Sequence, residues 1–156
     1  MKAFEFSIVA SGLDPRADDF EDRFFEAGCD DATIAFARGA IVLHFHREAE
    51  SLSAAIRSAR ADVEAAGATV RHVEPDNLVS LTEIARRAGL TRSATSLYAN
   101  GGRGRDFPPP VARVTSDGAL WDWREVSAWL HRRGQLPIED VRAAAAIGAA
   151  NAELRG

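Results

Sequence analysis

Two short helical patterns separated by a single glycine constrain this chain most. In residues 80–99, SLTEIARRAGLTRSATSLYA, Ser80 and Glu83 stand three apart at the head of an apolar stripe of Ile84, Ala85 and Ala88. That spacing predicts a capping box, with Ser80 accepting from the helix start and Glu83 reaching back. Gly89 supplies the left-handed backbone that a tight turn between helices needs, and Leu90 plugs the space between them. Thr91 predicts the cap of a second helix running to about Ala99. Ala94, Leu97 and Tyr98 are expected inward, and Arg92, Ser93, Thr95 and Ser96 outward near its start.

The next residues extend this pair. After Asn100 the run GGRGRD carries Arg103 and Arg105 in a backbone too glycine-rich to form a core. It lacks the Lys-Ser/Thr ending of a nucleotide P-loop, so contact with the phosphates of a nucleic acid backbone is the better reading. Phe107-Pro108-Pro109-Pro110-Val111 is rigid and extended, with Phe107 and Val111 expected to pin the loop onto the helices. Ala112–Val114 and Leu120–Trp121 flank Ser116-Asp117-Gly118, whose Asp-Gly predicts a hairpin turn and hence a small wing carrying Arg113. Asp122 predicts the cap of a third helix, in which Trp123, Val126, Trp129 and Leu130 are buried. The three tryptophans read as core rather than as base-stacking groups, because they fall on interior positions of strand and helix.

A helix pair, an arginine loop, a wing and a third helix, in that order, make a winged helix-turn-helix. The pattern LTEIARRAGLTRSATSLY…FPPPV…LWDWREVSAWL resembles the MerR/excisionase-like (AlpA-type) family over residues 79–131, about a third of the chain. The resemblance implies binding of double-stranded DNA through the helix at 91–99 and the wing. Carried over by position, it implies that Thr91, Arg92, Ser93 and Ser96 lie at the DNA, with Arg113 on the wing. The loop 100–106 is longer than the family's usual basic turn. Independently of the family, a recognition helix reads base edges from its N-terminal portion, and an arginine fork can bond two acceptors on a guanine or a phosphate.

The first half has a different rhythm. Residues 4–10 alternate as a strand, and Asp14-Pro15 predicts a helix cap with proline in the first turn. Ala17, Phe20, Phe24 and Ala27 follow at helical spacing, with Gly28 as the stop. Strands are predicted at 32–37 and 40–46, a helix at about 50–66 and a last strand at 68–73, before Pro75 ends pairing. The order βαββαβ predicts a ferredoxin-like module with both helices on one sheet face. The other face is expected to carry Glu5, Ser7, Val9, Thr33, Ala35, Val42, His44 and Arg71, suited to water or to a second copy.

His44 and His46, with His72 on another strand, raise a metal site, since an H-x-H pair on a strand points two imidazoles to one side. No cysteine or carboxylate spacing adds a third ligand, so the preferred reading is a polar sheet surface and no metal is expected. The acids in 18–26 read as a solvated helix face without the partner a general acid or base requires. The single cysteine, Cys29, forms no intrachain disulfide and reads as a partly buried spectator.

The expected fold is therefore α+β: a ferredoxin-like module over 1–74, a winged helix-turn-helix over 79–134, and a C-terminal helix over 137–156 with the small face Ile138, Val141, Ala145 and Gly148. That helix either docks on its own domain or pairs with another chain. The net charge of −4 averages over a strong asymmetry. Residues 1–79 hold 8 basic against 15 acidic side chains, residues 80–136 hold 9 against 5, and residues 137–156 hold 2 against 3. An acidic module joined to a basic one is expected where one part alone meets a polyanion. No segment approaches a membrane span or a secretory leader, so the expectation is a cytoplasmic protein without a membrane partner. No nucleophile, base and orienting group come together, so an enzyme is not expected, nor a cofactor. The leading function is sequence-specific double-stranded DNA binding as a homodimeric transcriptional regulator, the acidic module supplying dimerisation or a protein contact. The alternatives are a regulator that senses a ligand or metal on its sheet, and a recombination accessory or toxin-neutralising factor.

Overall fold

The computed structural model describes residues 1–101 and 106–156. Among them the chain is mixed α+β, with six helices and a four-stranded antiparallel sheet. It forms two compact units, Met1–Pro75 with Ala149–Gly156, and Asp76–Gly148.

The first unit runs β1 (Lys2–Ser11), α1 (Phe20–Glu26), β2 (Ala32–Ala37), β3 (Ala40–Ala49), α2 (Leu52–Ala65) and β4 (Thr69–Glu74). The sheet order is β2-β3-β1-β4 with every neighbour antiparallel. Period-two alternation decides which side is buried. Phe6, Ile8 and Ala10 of β1 lie opposite Phe45, Leu43 and Ile41 of β3, and all six are buried. The Phe6 and Phe45 rings stack with centroids 5.4 Å apart. Ala55, Ile56, Ala59 and Val63 of α2 and Phe20 and Phe24 of α1 complete this core.

One local expectation is corrected. The Asp14-Pro15 step does not open a helix, and α1 begins only at Phe20. Asp14 Oδ1 accepts from the Arg16 amide at 2.9 Å and the Asp14 carbonyl from the Ala17 amide at 3.1 Å, so the aspartate closes a local turn instead. In β4, a register shift between Val9 and Ala10 pairs Val9 with His72. His72 therefore stands on the outer face beside Val9, while Arg71 reaches Ser11 Oγ at 2.7 Å.

The inward row of β3 ends in a charge. Arg47, only 8% exposed, follows Ile41, Leu43 and Phe45 on the buried side. Its Nε and Nη2 donate to the two carboxylate oxygens of Asp31 at 2.8 and 2.9 Å. Nη1 donates to Asp62 at 2.8 Å and to Ser58 Oγ at 3.2 Å, and Nη2 also to the Gly28 carbonyl at 2.8 Å. The hydrogen bonds to Asp31 raise the guanidinium pKa further despite burial, so the charge is permanent. Cys29 is buried beside this group, and burial, then the Asp62 charge, push its thiol up to about 11 while Arg47 partly opposes them.

The second unit contains β5 (Leu78–Val79), α3 (Leu81–Ala88), α4 (Arg92–Ala99), β6 (Trp121–Asp122), α5 (Trp123–Arg132) and the start of α6 (Ile138–Arg155). The residues of α6 are shared between the two units. In the first unit, buried Asn151 brackets one residue of β4, accepting from the Val73 amide at 2.7 Å and donating to the Val73 carbonyl at 2.9 Å. Such a two-point bond satisfies the edge of the strand.

Breaking a buried ion pair by removing one partner costs about 3 kcal/mol or more. Asp31→Ala is expected to lower unfolding stability in urea by that amount, while truncating the half-buried Arg60 of the surface Arg60–Glu64 pair changes it by less than about 1 kcal/mol. A raised Cys29 pKa means little thiolate at pH 8, so iodoacetamide should label the folded chain at least about tenfold more slowly than the urea-unfolded chain.

Candidate nucleic-acid interface

The helix pair is built from its caps. Ser80 Oγ accepts from the Glu83 amide at 3.2 Å at the head of α3, and Thr91 Oγ1 from the Ala94 amide at 3.0 Å at the head of α4. Between them Gly89 stands at φ 68°, the left-handed cap that ends α3. The expected capping box is half made. Glu83 does not reach back to Ser80 but accepts from Arg86 and, at 3.1 Å, from Arg87. Burial raises the Glu83 pKa, but the hydrogen bonds from these two arginines outweigh it and hold the carboxyl below its ordinary value. Arg87 in turn lies over the Trp123 ring, 5.5 Å from its centroid, and donates to the Asp76 carbonyl.

Behind the pair is an aromatic core. Val79, Ile84, Tyr98, Trp121, Trp123, Val126, Trp129, Leu130 and Ala144 are buried together, with Leu90 and Phe107 packed against them. The Phe107 ring lies 5.0 Å from Trp129 and 6.3 Å from Tyr98, and Trp121 Nε1 donates to the Pro108 carbonyl at 3.0 Å. Phe107 and the proline run therefore pin the segment as expected, but Val111 does not, being 53% exposed. All three tryptophans are core. Gly148 of α6 also has a packing reason, since a Cβ there would stand 2.8 Å from Arg124 Cδ and 3.0 Å from Asn77 Nδ2.

This core orients α4. Thr95 and Tyr98, three residues apart, are buried on one stripe, and Arg92, Ser93, Leu97 and Asn100 are exposed on the other, with Ser96 at its half-buried edge. Two expectations are reversed here. Thr95 is 0% exposed and cannot meet a ligand; its hydroxyl donates to the Thr91 carbonyl at 2.9 Å, which satisfies it inside the core. Leu97, expected inward, is 43% exposed. Helical spacing carries this signal, since a position three before a buried tyrosine shares its face. Thr91, Arg92, Ser93 and Ser96 remain together at the head of α4. Arg92 Nη1 donates to Thr82 Oγ1 at 2.6 Å, which ties its guanidinium to the head of α3.

The hairpin expected after the proline run is smaller than predicted. A single bridge joins Ala112 to Leu120, while Trp121 pairs with Val79 of β5. The turn is closed by Ser116, whose amide and hydroxyl both donate to the Arg113 carbonyl at 3.1 Å, and whose Oγ accepts from the Gly118 amide at 3.2 Å. Positive φ falls on Arg113, at 53°, and not on the glycine of the Asp-Gly step. Arg113 is exposed at the base of this turn. Arg103 and Arg105 lie outside the described residues.

Charge is less lopsided by unit than by segment. Residues 76–148 carry 10 basic and 8 acidic side chains, because Asp76, Glu139 and Asp140 join the basic stretch. The remainder carries 9 against 15. The sign difference persists. No helix among the described residues is long and apolar enough to cross a membrane. Compared with known proteins, the chain matches no family model, no curated protein and no solved structure.

A Cβ at Gly89 would meet nothing within 4 Å, so its substitution costs backbone strain alone. A left-handed non-glycine residue costs about 1–2 kcal/mol, and Gly89→Ala should lower the unfolding free energy by that amount in a urea melt.

Proposed function

We propose that this chain is a sequence-specific double-stranded DNA-binding protein, acting as a homodimeric transcriptional regulator. Residues 76–148 read as a winged helix-turn-helix of the MerR/excisionase-like type, and residues 1–75 as a ferredoxin-like module. The strand order β2-β3-β1-β4 supports the second reading. The observation that carries the function is the exposed row Arg92, Ser93, Leu97 and Asn100, edged by half-buried Ser96, on a capped helix whose opposite side is anchored in an aromatic core. A recognition helix needs that combination: rigid placement behind, and short polar groups with one arginine in front.

The roles follow from chemistry. Arg92 donates to phosphate or to a guanine edge, with its fork steadied by Thr82. Thr91, Ser93 and Ser96 offer hydroxyls to backbone or base, and Leu97 gives an apolar contact suited to a thymine methyl. Arg113 meets the flanking phosphate from the turn. One such unit reads few base pairs, so two copies are needed for a useful site, and the acidic module is the natural means of pairing them.

Fluorescence anisotropy on random duplex tests the reading. Arg92→Ala with Arg113→Ala should weaken binding and flatten the dependence of log K on log salt by about 0.9 for each phosphate left without its arginine. Unchanged affinity and slope would show that this face does not meet DNA.

A further inference from the structure

Apart from the helix pair, one group of side chains on the outer sheet face has the geometry of a ligand set. The β1–β3 register places Glu5 directly opposite His46 and Ser7 opposite His44. Alternation then puts Glu5, His44 and His46 on the same face. Glu5 Oε1 lies 3.4 Å from His44 Nε2 and 3.3 Å from His46 Nε2, and one donor atom from each of the three residues falls within 4.8 Å of the others. The two imidazoles stand edge to face with centroids 5.2 Å apart, and both Nε2 atoms face the same Glu5 oxygen.

The distances within this group match those between ligands of one metal ion. On the same sheet His72 Nε2 and Glu74 Oε2 are 2.9 Å apart, an ordinary hydrogen-bonding distance. The Glu5 contacts are both longer, and equal to within a tenth of an ångström. Zinc bonds of about 2.0–2.1 Å in a tetrahedron put neighbouring donors about 3.4 Å apart. The two Glu5 contacts match edges of a coordination tetrahedron, and the third ligand atom pair closes to within 4.8 Å.

A supporting contact points the same way. Ser7 Oγ lies 3.0 Å from His44 Nδ1. A neutral His44 that donates from Nδ1 to this hydroxyl keeps its Nε2 lone pair directed at the Glu5 side. Ligating histidines are characteristically held by such a bond through the other ring nitrogen.

We infer that Glu5, His44 and His46 form a binding site for a borderline divalent transition-metal ion, zinc above all, with Ser7 positioning His44 and the fourth position left to water. Two imidazoles and a carboxylate suit zinc and disfavour magnesium, which wants an octahedron of oxygens. The site is independent of the DNA reading: it uses only the first unit, and either stands if the other fails.

The test is isothermal titration of the intact chain with zinc chloride, with magnesium chloride as the control. One zinc per chain at micromolar affinity is expected, with no magnesium heat. The three side chains are 44–64% exposed, so their replacement leaves the core intact. His46→Ala and the double replacement of His44 and His46 should abolish binding, His72→Ala should leave it unchanged, and Ser7→Ala should weaken it by about 10–100-fold. No zinc binding at micromolar concentrations, equal binding of magnesium, or zinc binding that survives the double replacement would overturn the site.

Discussion

A buried arginine that cannot lose its proton determines how the first unit closes. Arg47 takes the fourth inward position of β3, where alternation alone would put an apolar residue. A lone charge there would cost several kcal/mol in desolvation, so surrounding segments have to bring acceptors to it. Asp31 comes from the link between α1 and β2, Asp62 and Ser58 from α2, and the Gly28 carbonyl from the end of α1. Five hydrogen bonds from one side chain thereby tie a strand, a loop and a helix at one end of the sheet. Gly28 is part of the same constraint: its φ is 114°, and a Cβ there would stand 2.8 Å from Asp62 Oδ2. The same crowding keeps Cys29 buried and protonated.

The second unit is organised by shape rather than by charge. Phe107, Tyr98, Trp121 and Trp129 form a set of ring contacts that draws the proline-stiffened segment onto α4 and α5. Arg133 adds a cation over the Tyr98 and Trp129 rings, at 5.3 and 4.7 Å. With Tyr98 fixed inward, the rotation of α4 is no longer free, and that rotation decides which residues it offers to a ligand. The proposed DNA face is thus a consequence of where a tyrosine is anchored. Short polar residues on an isolated helix would have no preferred side.

Much of this is legible along the chain, and the failures have a common cause. Caps and turns are local, so Ser80, Gly89, Thr91 and Asp122 are readable from residue type and spacing. The strand alternation and the order of elements are readable for the same reason. Three misassignments come from competition that spacing does not display. Asp14 satisfies the backbone locally and delays α1; Glu83 takes two arginines in place of the Ser80 amide; Thr95 is polar yet belongs to the buried stripe because its hydroxyl can bond the preceding turn. In each case a short polar or acidic side chain has two hydrogen-bonding options, and the packing around it selects one.

The amino-acid sequence by itself determined most of the helices and strands, several of the residues that cap them, that the tryptophans are core, and that the net charge changes sign between the first half and residues 80–136. Those follow from periodicity, side-chain chemistry and covalent order, which act over a few residues. Only the tertiary structure decided the rotation of α4, the reduction of the expected hairpin to a single bridge, and the division of α6 between two units. It alone brought Glu5 to His44 and His46, which stand 39 and 41 positions further along the chain. Strand register sets that meeting, and register is a property of two segments paired across space, fixed by how both bury their apolar faces.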